Sequence, residues 1–150
     1  MEPERRVLEP EVLMEPLLEV LEEAESVPLV ISGGSMAPFL VHGRDTVYLS
    51  KAKDPLKKGD MILFRRESGG YILHRILKEE KGIYTVVGDA QTWTEAVRPE
   101  QVKALVTAVR RKGKLLTKGS LLWMFFEKLW IRLVPLRPRI LGLYGRMFRK

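Results

Sequence analysis

A serine that follows two glycines at the end of an apolar run is the segment of this chain best suited to nucleophilic chemistry. It reads Ile31-Ser32-Gly33-Gly34-Ser35-Met36-Ala37-Pro38. Glycines allow dihedrals closed to other residues and let a substrate backbone come close. Backbone N–H groups in such a turn can point at a developing oxyanion. Gly33, Gly34, Met36 and Pro38 are therefore the candidate substrate-binding and oxyanion residues around Ser35. Taken alone, Gly-Gly-Ser is also an ordinary turn.

A nucleophilic serine needs a base. With no cysteine and only two histidines, the candidates are few. His74 sits in Tyr71-Ile72-Leu73-His74-Arg75-Ile76-Leu77, where strand alternation groups it with Ile72 and Ile76 on one face. By pattern alone, such a histidine is more often structural. An unperturbed imidazole base predicts an acidic limb of activity near ~6.5. His42, in the glycine-containing turn Val41-His42-Gly43-Arg44, reads as a solvated loop residue. Lys51, Lys53, Lys57 and Lys58 are the next bases to consider, since a Ser–Lys dyad is the nearest substitute. A third group must orient the imidazole. The stretch Val86 to Glu95 offers Asp89 and Glu95, each of which reads equally well as a turn or cap acid.

The elements that must position these residues are short strands. Runs rich in Val, Ile, Leu, Tyr and Phe fall at 28–32, 45–50, 60–66, 70–77, 82–88 and 102–110. Gly59-Asp60, Gly69-Gly70 and Lys81-Gly82 punctuate them as turns. The pattern predicts a mainly β domain over 28–118, a coiled antiparallel sheet or small barrel. Residues 1–27 form an acidic lead-in. There Val7, Leu8, Val12, Leu13, Leu17, Val20, Leu21 and Ala24 keep roughly helical spacing, and Pro10 and Pro16 are expected to break the helix. Residues 119–150 form a basic amphipathic tail. In it Leu122, Phe125, Phe126, Leu129 and Leu133 recur at helical spacing up to Pro135 and Pro138, and a second short piece runs from Ile140 to Phe148.

The order of the chemical pieces resembles a known family. Ser35-Met36-x-Pro38, then a Gly-Asp strand start, then His74-Arg75, then Gly88-Asp89-Ala90 is similar to the catalytic core of type I signal peptidases and the related SOS-repressor serine peptidases. It looks most like the archaeal and endoplasmic-reticulum branch, which uses histidine where the ordinary bacterial branch uses lysine. The resemblance covers about Val30 to Arg110. It implies a signal-peptidase type of fold with Ser35 as nucleophile and His74 as general base, acting through an acyl-enzyme. It also implies an orienting acid six residues after the Asp of Gly-Asp. That position is Glu95 here rather than aspartate, and Glu95 is narrowly preferred to Asp89. The position two before the nucleophile, a hydroxyl donor in many signal peptidases, is Gly33. The first Gly-Asp turn is interrupted as Gly43-Arg44-Asp45. The acidic residues 1–27 lead to the expectation that the family's N-terminal membrane anchor is not used here.

Composition narrows the function classes. The 150 residues, 45% hydrophobic and 30% charged, suit one domain with a real core. Lack of cysteine removes disulfides, thiolate catalysis and cysteine-based zinc sites. No cofactor or metal is expected. The net charge of +7 is uneven: residues 110–150 hold twelve Lys/Arg and one acid, whereas residues 1–25 hold nine Glu and two Arg. Basic residues interleaved with Trp, Phe and Leu fit an anionic membrane surface better than nucleic acid, and no nucleic-acid partner is expected. The alternative for the tail is that it folds back on the acidic lead-in. The acidic start predicts no secretory leader, and no run reaches the ~20 apolar residues of a span. The expected protein is thus cytoplasmic or peripherally membrane-associated. Its expected partner is a peptide or protein with a leader or signal-like segment. A self-cleaving regulator is the first alternative, but residues 1–27 are too short and acidic for a helix-turn-helix. A non-catalytic membrane-surface or peptide-binding β-domain is the second.

Overall fold

The structure is a computed structural model and describes residues 10–53 and 55–148. Eight strands form one antiparallel sheet: β1 (Val27–Val30), β2 (Thr46–Ser50), β3 (Met61–Arg65), β4 (Tyr71–Glu80), β5 (Ile83–Val87), β6 (Glu95–Val97), β7 (Val102–Arg111) and β8 (Lys114–Thr117). The order is β1-β2-β7-β3-β4-β5-β6, with β8 added to the end of β7. The sheet does not close into a barrel, so the barrel alternative is not realised. Bulges coil it instead. Register shifts fall between Tyr48 and Leu49, Leu63 and Phe64, and Ile76 and Lys78, each adding local twist.

The hairpin β4–β5 turns on Lys81-Gly82 and β7–β8 on Lys112-Gly113, with all four residues at positive φ. Two consecutive left-handed residues match the twist of the flanking strands, and Gly at the second position adopts that conformation without strain. The six strands expected from the sequence are present within a few residues, and β6 and β8 are additions.

The sheet separates two apolar clusters. One gathers Ile62, Phe64, Ile76, Tyr84, Val86 and Val97. The larger one contains Met36, Phe39, Leu40 and alternate residues of the central strands. It is roofed by the helices: α1 (Pro10–Leu21) contributes Met14 and Leu21, and the C-terminal segment contributes Trp123, Phe126 and Trp130. The three stretches of the chain therefore share one core.

Two helical expectations change. Pro16 lies inside α1 without ending it, and Val20 faces solvent; Val7 and Leu8 lie outside the described residues. The C-terminal segment runs on past Pro135 as α2 (Leu121–Met124), a π turn (Phe125–Leu129), a 3₁₀ turn (Trp130–Leu136) and α3 (Arg137–Phe148). Pro138 stands in the first turn of α3, where a missing N–H costs nothing. The buried face is Trp123, Phe126, Trp130 and Ile131, while Phe125 and Leu129 point outward. The large flat rings win the core because they cover the most apolar area against Phe39, which stacks on Phe126 at 4.7 Å between ring centres.

Candidate active site

The Ser35 turn leaves the end of β1 and is held at three points. Gly33 takes φ of 84°, a left-handed conformation, and a Cβ there would meet open space, so the glycine serves the backbone path rather than packing. The Gly33 N–H donates to His42 Nδ1 at 2.8 Å. His42 is presented by the turn ending in buried Asp45, whose carboxylate accepts from the Val41 and Lys112 N–H groups and from the Arg44 guanidinium. Burial pushes the Asp45 carboxyl up, but Arg44 and the two N–H groups outweigh it and hold it below the usual carboxylate range. Arg111 donates to the Phe39 and Pro38 carbonyls downstream of the serine. The Ala90 N–H donates to the Ser35 carbonyl at 2.9 Å.

That last contact joins the serine to the Gly88–Glu95 loop. A Cβ on Gly88 would fall 2.5 Å from the Ser35 carbonyl oxygen, so only glycine lets the two turns approach this closely. The loop is locked by buried cations. Arg75, fully buried, grips both oxygens of Asp89 at 2.9 Å and donates to the Gly59 carbonyl at 2.8 Å. Arg137, also fully buried, donates to the Gly88, Gln91 and Trp130 carbonyls. Trp130 Nε1 donates to the Asp89 carbonyl at 2.8 Å. Burial lowers the Arg137 pKa, and the Asp89 charge opposes that shift.

His74 is 3% exposed in β4, on the face opposite Arg75, with its ring edge-on to Phe64 at 5.9 Å between centres. Its Nδ1 is buried without a hydrogen-bond partner and lies 4.0 Å from Glu95 Oε1. Burial pulls its pKa down from 6.5 to about 4, with Glu95 opposing the shift and Arg66 adding to it. The ring is therefore neutral near pH 7. Glu95 meanwhile accepts from Arg66 at 2.7 and 3.1 Å. Ser35 lines a small cleft of about 80 Å³ together with Met36, Tyr71, Ile72 and Leu73. Ile72 belongs to the same strand face as His74. Among the described residues no hydrogen bond joins the Ser35 hydroxyl to the His74 ring.

The residues singled out in the sequence thus fall into distinct positions. Glu95 is the carboxylate beside His74. Asp89 has both oxygens on Arg75. Gly33 spends its N–H on His42, and no hydrogen bond engages the Ser35 N–H among the described residues. Met36 is buried and lines the cleft, and the Pro38 carbonyl is held by Arg111. Lys51 donates to the Glu22 carbonyl and, with Lys53, lines a separate open hollow of about 530 Å³ that contains none of these groups. His42, Asp45, Arg111, Trp130 and Arg137 were not marked by the sequence as site residues. Each acts through backbone carbonyls or N–H groups, which leave no residue-type signature. Among the described residues no three His, Asp or Glu side chains converge to hold a metal ion. Comparison with family models, curated proteins and solved structures finds no match.

Proposed function

We propose that the chain is a serine endopeptidase of the signal-peptidase type that cleaves a leader or signal-like peptide through a Ser35–His74 acyl-enzyme mechanism. The observation that carries this reading is the buried, neutral imidazole of His74, unpartnered at Nδ1 and facing Glu95, on the strand whose start lines the Ser35 cleft. A buried histidine in a purely structural role satisfies its ring nitrogens. An unpaired one beside a carboxylate is the arrangement from which a general base works, closing its hydrogen bonds when substrate arrives.

In this reading Ser35 Oγ attacks the scissile carbonyl while His74 Nε2 takes the hydroxyl proton. Glu95 holds the opposite edge of the ring and stabilises the imidazolium. The Ser35 N–H, which has no hydrogen-bond partner among the described residues, receives the oxyanion. His74 then gives its proton to the leaving amine, and water releases the acyl group. The edge of β1 not paired to β2 offers main-chain groups to an extended substrate, and the small cleft fits a small side chain beside the cut.

The test is cleavage of leader-like peptides with small residues at the cut by wild type, Ser35→Ala and His74→Ala. Both variants are expected to lose cleavage while keeping the wild-type circular dichroism. Wild-type rates in either variant overturn the assignment.

A further inference from the structure

Exposure along the C-terminal segment follows a helical period with an unexpected content. Trp123, Phe126, Glu127, Trp130, Ile131 and Arg137 are buried. The large apolar residues beside them that face solvent are Leu121, Met124, Phe125, Leu129 and Leu136, and Leu121 is 86% exposed. Solvent-facing positions of a helix packed on a domain are ordinarily polar. Here the outer stripe is as apolar as the inner one.

Charge completes the pattern. Lys128 and Arg132 interrupt the apolar stripe, and Arg139 follows it, all exposed. Glu127 is the sole acid of residues 110–150. It is turned inward, with its carboxylate 3.6 Å from Lys118. The outer face is therefore apolar and cationic, without a carboxylate of its own.

We propose that this face docks the protein in the plane of an anionic lipid bilayer, with Leu121, Phe125 and Leu129 among the acyl chains and Lys128 and Arg132 at lipid phosphates. Apolar groups at the acyl boundary with cations at the headgroups are what such a surface rewards. A second copy of the chain fits poorly. Two such faces opposed would bring like charges together with no acid to neutralise them. A nucleic acid would use the cations and leave the leucines and phenylalanine in water. No helix of the described residues is long and apolar enough to cross the membrane, so the attachment lies on one surface.

The test uses the full chain, because the opposite side of the same segment is core. Flotation is measured with phosphatidylcholine vesicles, with and without phosphatidylglycerol, at low and high salt. Two variants accompany the wild type: Leu121→Ser/Phe125→Ser/Leu129→Ser and Lys128→Glu/Arg132→Glu. All changed side chains are exposed, and unaltered thermal melting checks that the fold is kept. Wild type is expected to float with phosphatidylglycerol vesicles and to lose binding as salt rises. Each variant is expected to bind at least about tenfold more weakly. Three results overturn the proposal: wild type that stays with the soluble fraction, variants that float like wild type, or a face that only supports self-association in sedimentation.

Discussion

Glu95 and Asp89 differ in what their carboxylates are already engaged with, and that separates their expected phenotypes. Glu95 is partly exposed, shared between Arg66 and the edge of His74. Glu95→Gln removes an exposed pair worth about 0–1 kcal/mol, so melting is expected to change little. Activity is expected to fall on the order of 10³-fold because the imidazole loses its orienting partner. The lost charge also removes a contribution that raises the His74 pKa, so the residual acidic limb moves to lower pH. Asp89→Asn strands the fully buried Arg75 without its counter-charge. Breaking a buried pair from one side costs about 3–5 kcal/mol, so that variant is expected to be both inactive and much less stable. Melting curves beside kcat/KM distinguish the two: a stable, inactive Asp89→Asn with an unaffected Glu95→Gln would exchange the roles. For the wild type, with His74 as the proposed base, the acidic limb of kcat/KM is expected near 4 rather than near 6.5, because burial lowers the pKa of this imidazole. A limb at the ordinary histidine position would show that the ring is solvated in the working enzyme.

At the scale of elements, the site depends on two turns pressed together and on a segment far away in sequence. Gly88→Ala would drive a methyl group into the Ser35 carbonyl. It is expected to lower kcat more than stability, since the Ser35 turn can shift where the core cannot. Trp130→Phe keeps most of the buried ring and removes only the donor to the Asp89 carbonyl. A loss of about 1 kcal/mol in stability is expected with a larger fractional loss in activity. Equal losses in both would leave Trp130 as packing alone. These dependencies also mark how much the sequence disclosed. Period-two runs and glycine turns were enough to find six strands and the antiparallel class, because strand alternation is local. The face shared by Ile72, His74 and Ile76 was readable for the same reason. The three-residue β6 and the four-residue β8 were too short to show a period. The clamp made by Arg75, Arg137 and Trp130 on the Gly88–Gln91 loop was not readable. Arg137 and Trp130 reach up to 49 positions back to main-chain carbonyls, and Arg75 meets the Asp89 side chain from another strand. The basic tail likewise hid the buried Arg137 beside the exposed Lys128, Arg132 and Arg139, and charge alone does not distinguish them.

At the scale of the whole molecule, the buried neutral His74 couples folding to pH. As pH falls, the unfolded chain takes up the proton first, near 6.5, while the folded ring resists until about 4. The stability this group carries is thus fully present above pH 6.5 and lost on the way down to about 4, amounting to roughly 3 kcal/mol. Wild type is expected to melt at lower temperature at pH 5 than at pH 7, and His74→Asn to show a smaller drop. Equal drops would place the titrating group elsewhere. The shared core has a second consequence. Deleting residues after Lys118 removes Trp123, Phe126 and Trp130 along with the loop clamp, so the shortened chain is expected to be unfolded or inactive rather than merely released from a surface. The proposed chemistry needs one nucleophile, Ser35, and one base, His74. The most direct measurement is intact mass after treatment with a fluorophosphonate, followed by peptide mapping, on wild type, Ser35→Ala and His74→Ala. A single adduct on Ser35 is predicted, absent in Ser35→Ala and formed on the order of 10³-fold more slowly in His74→Ala. No adduct, an adduct on another residue, or an unchanged rate without His74 would contradict it.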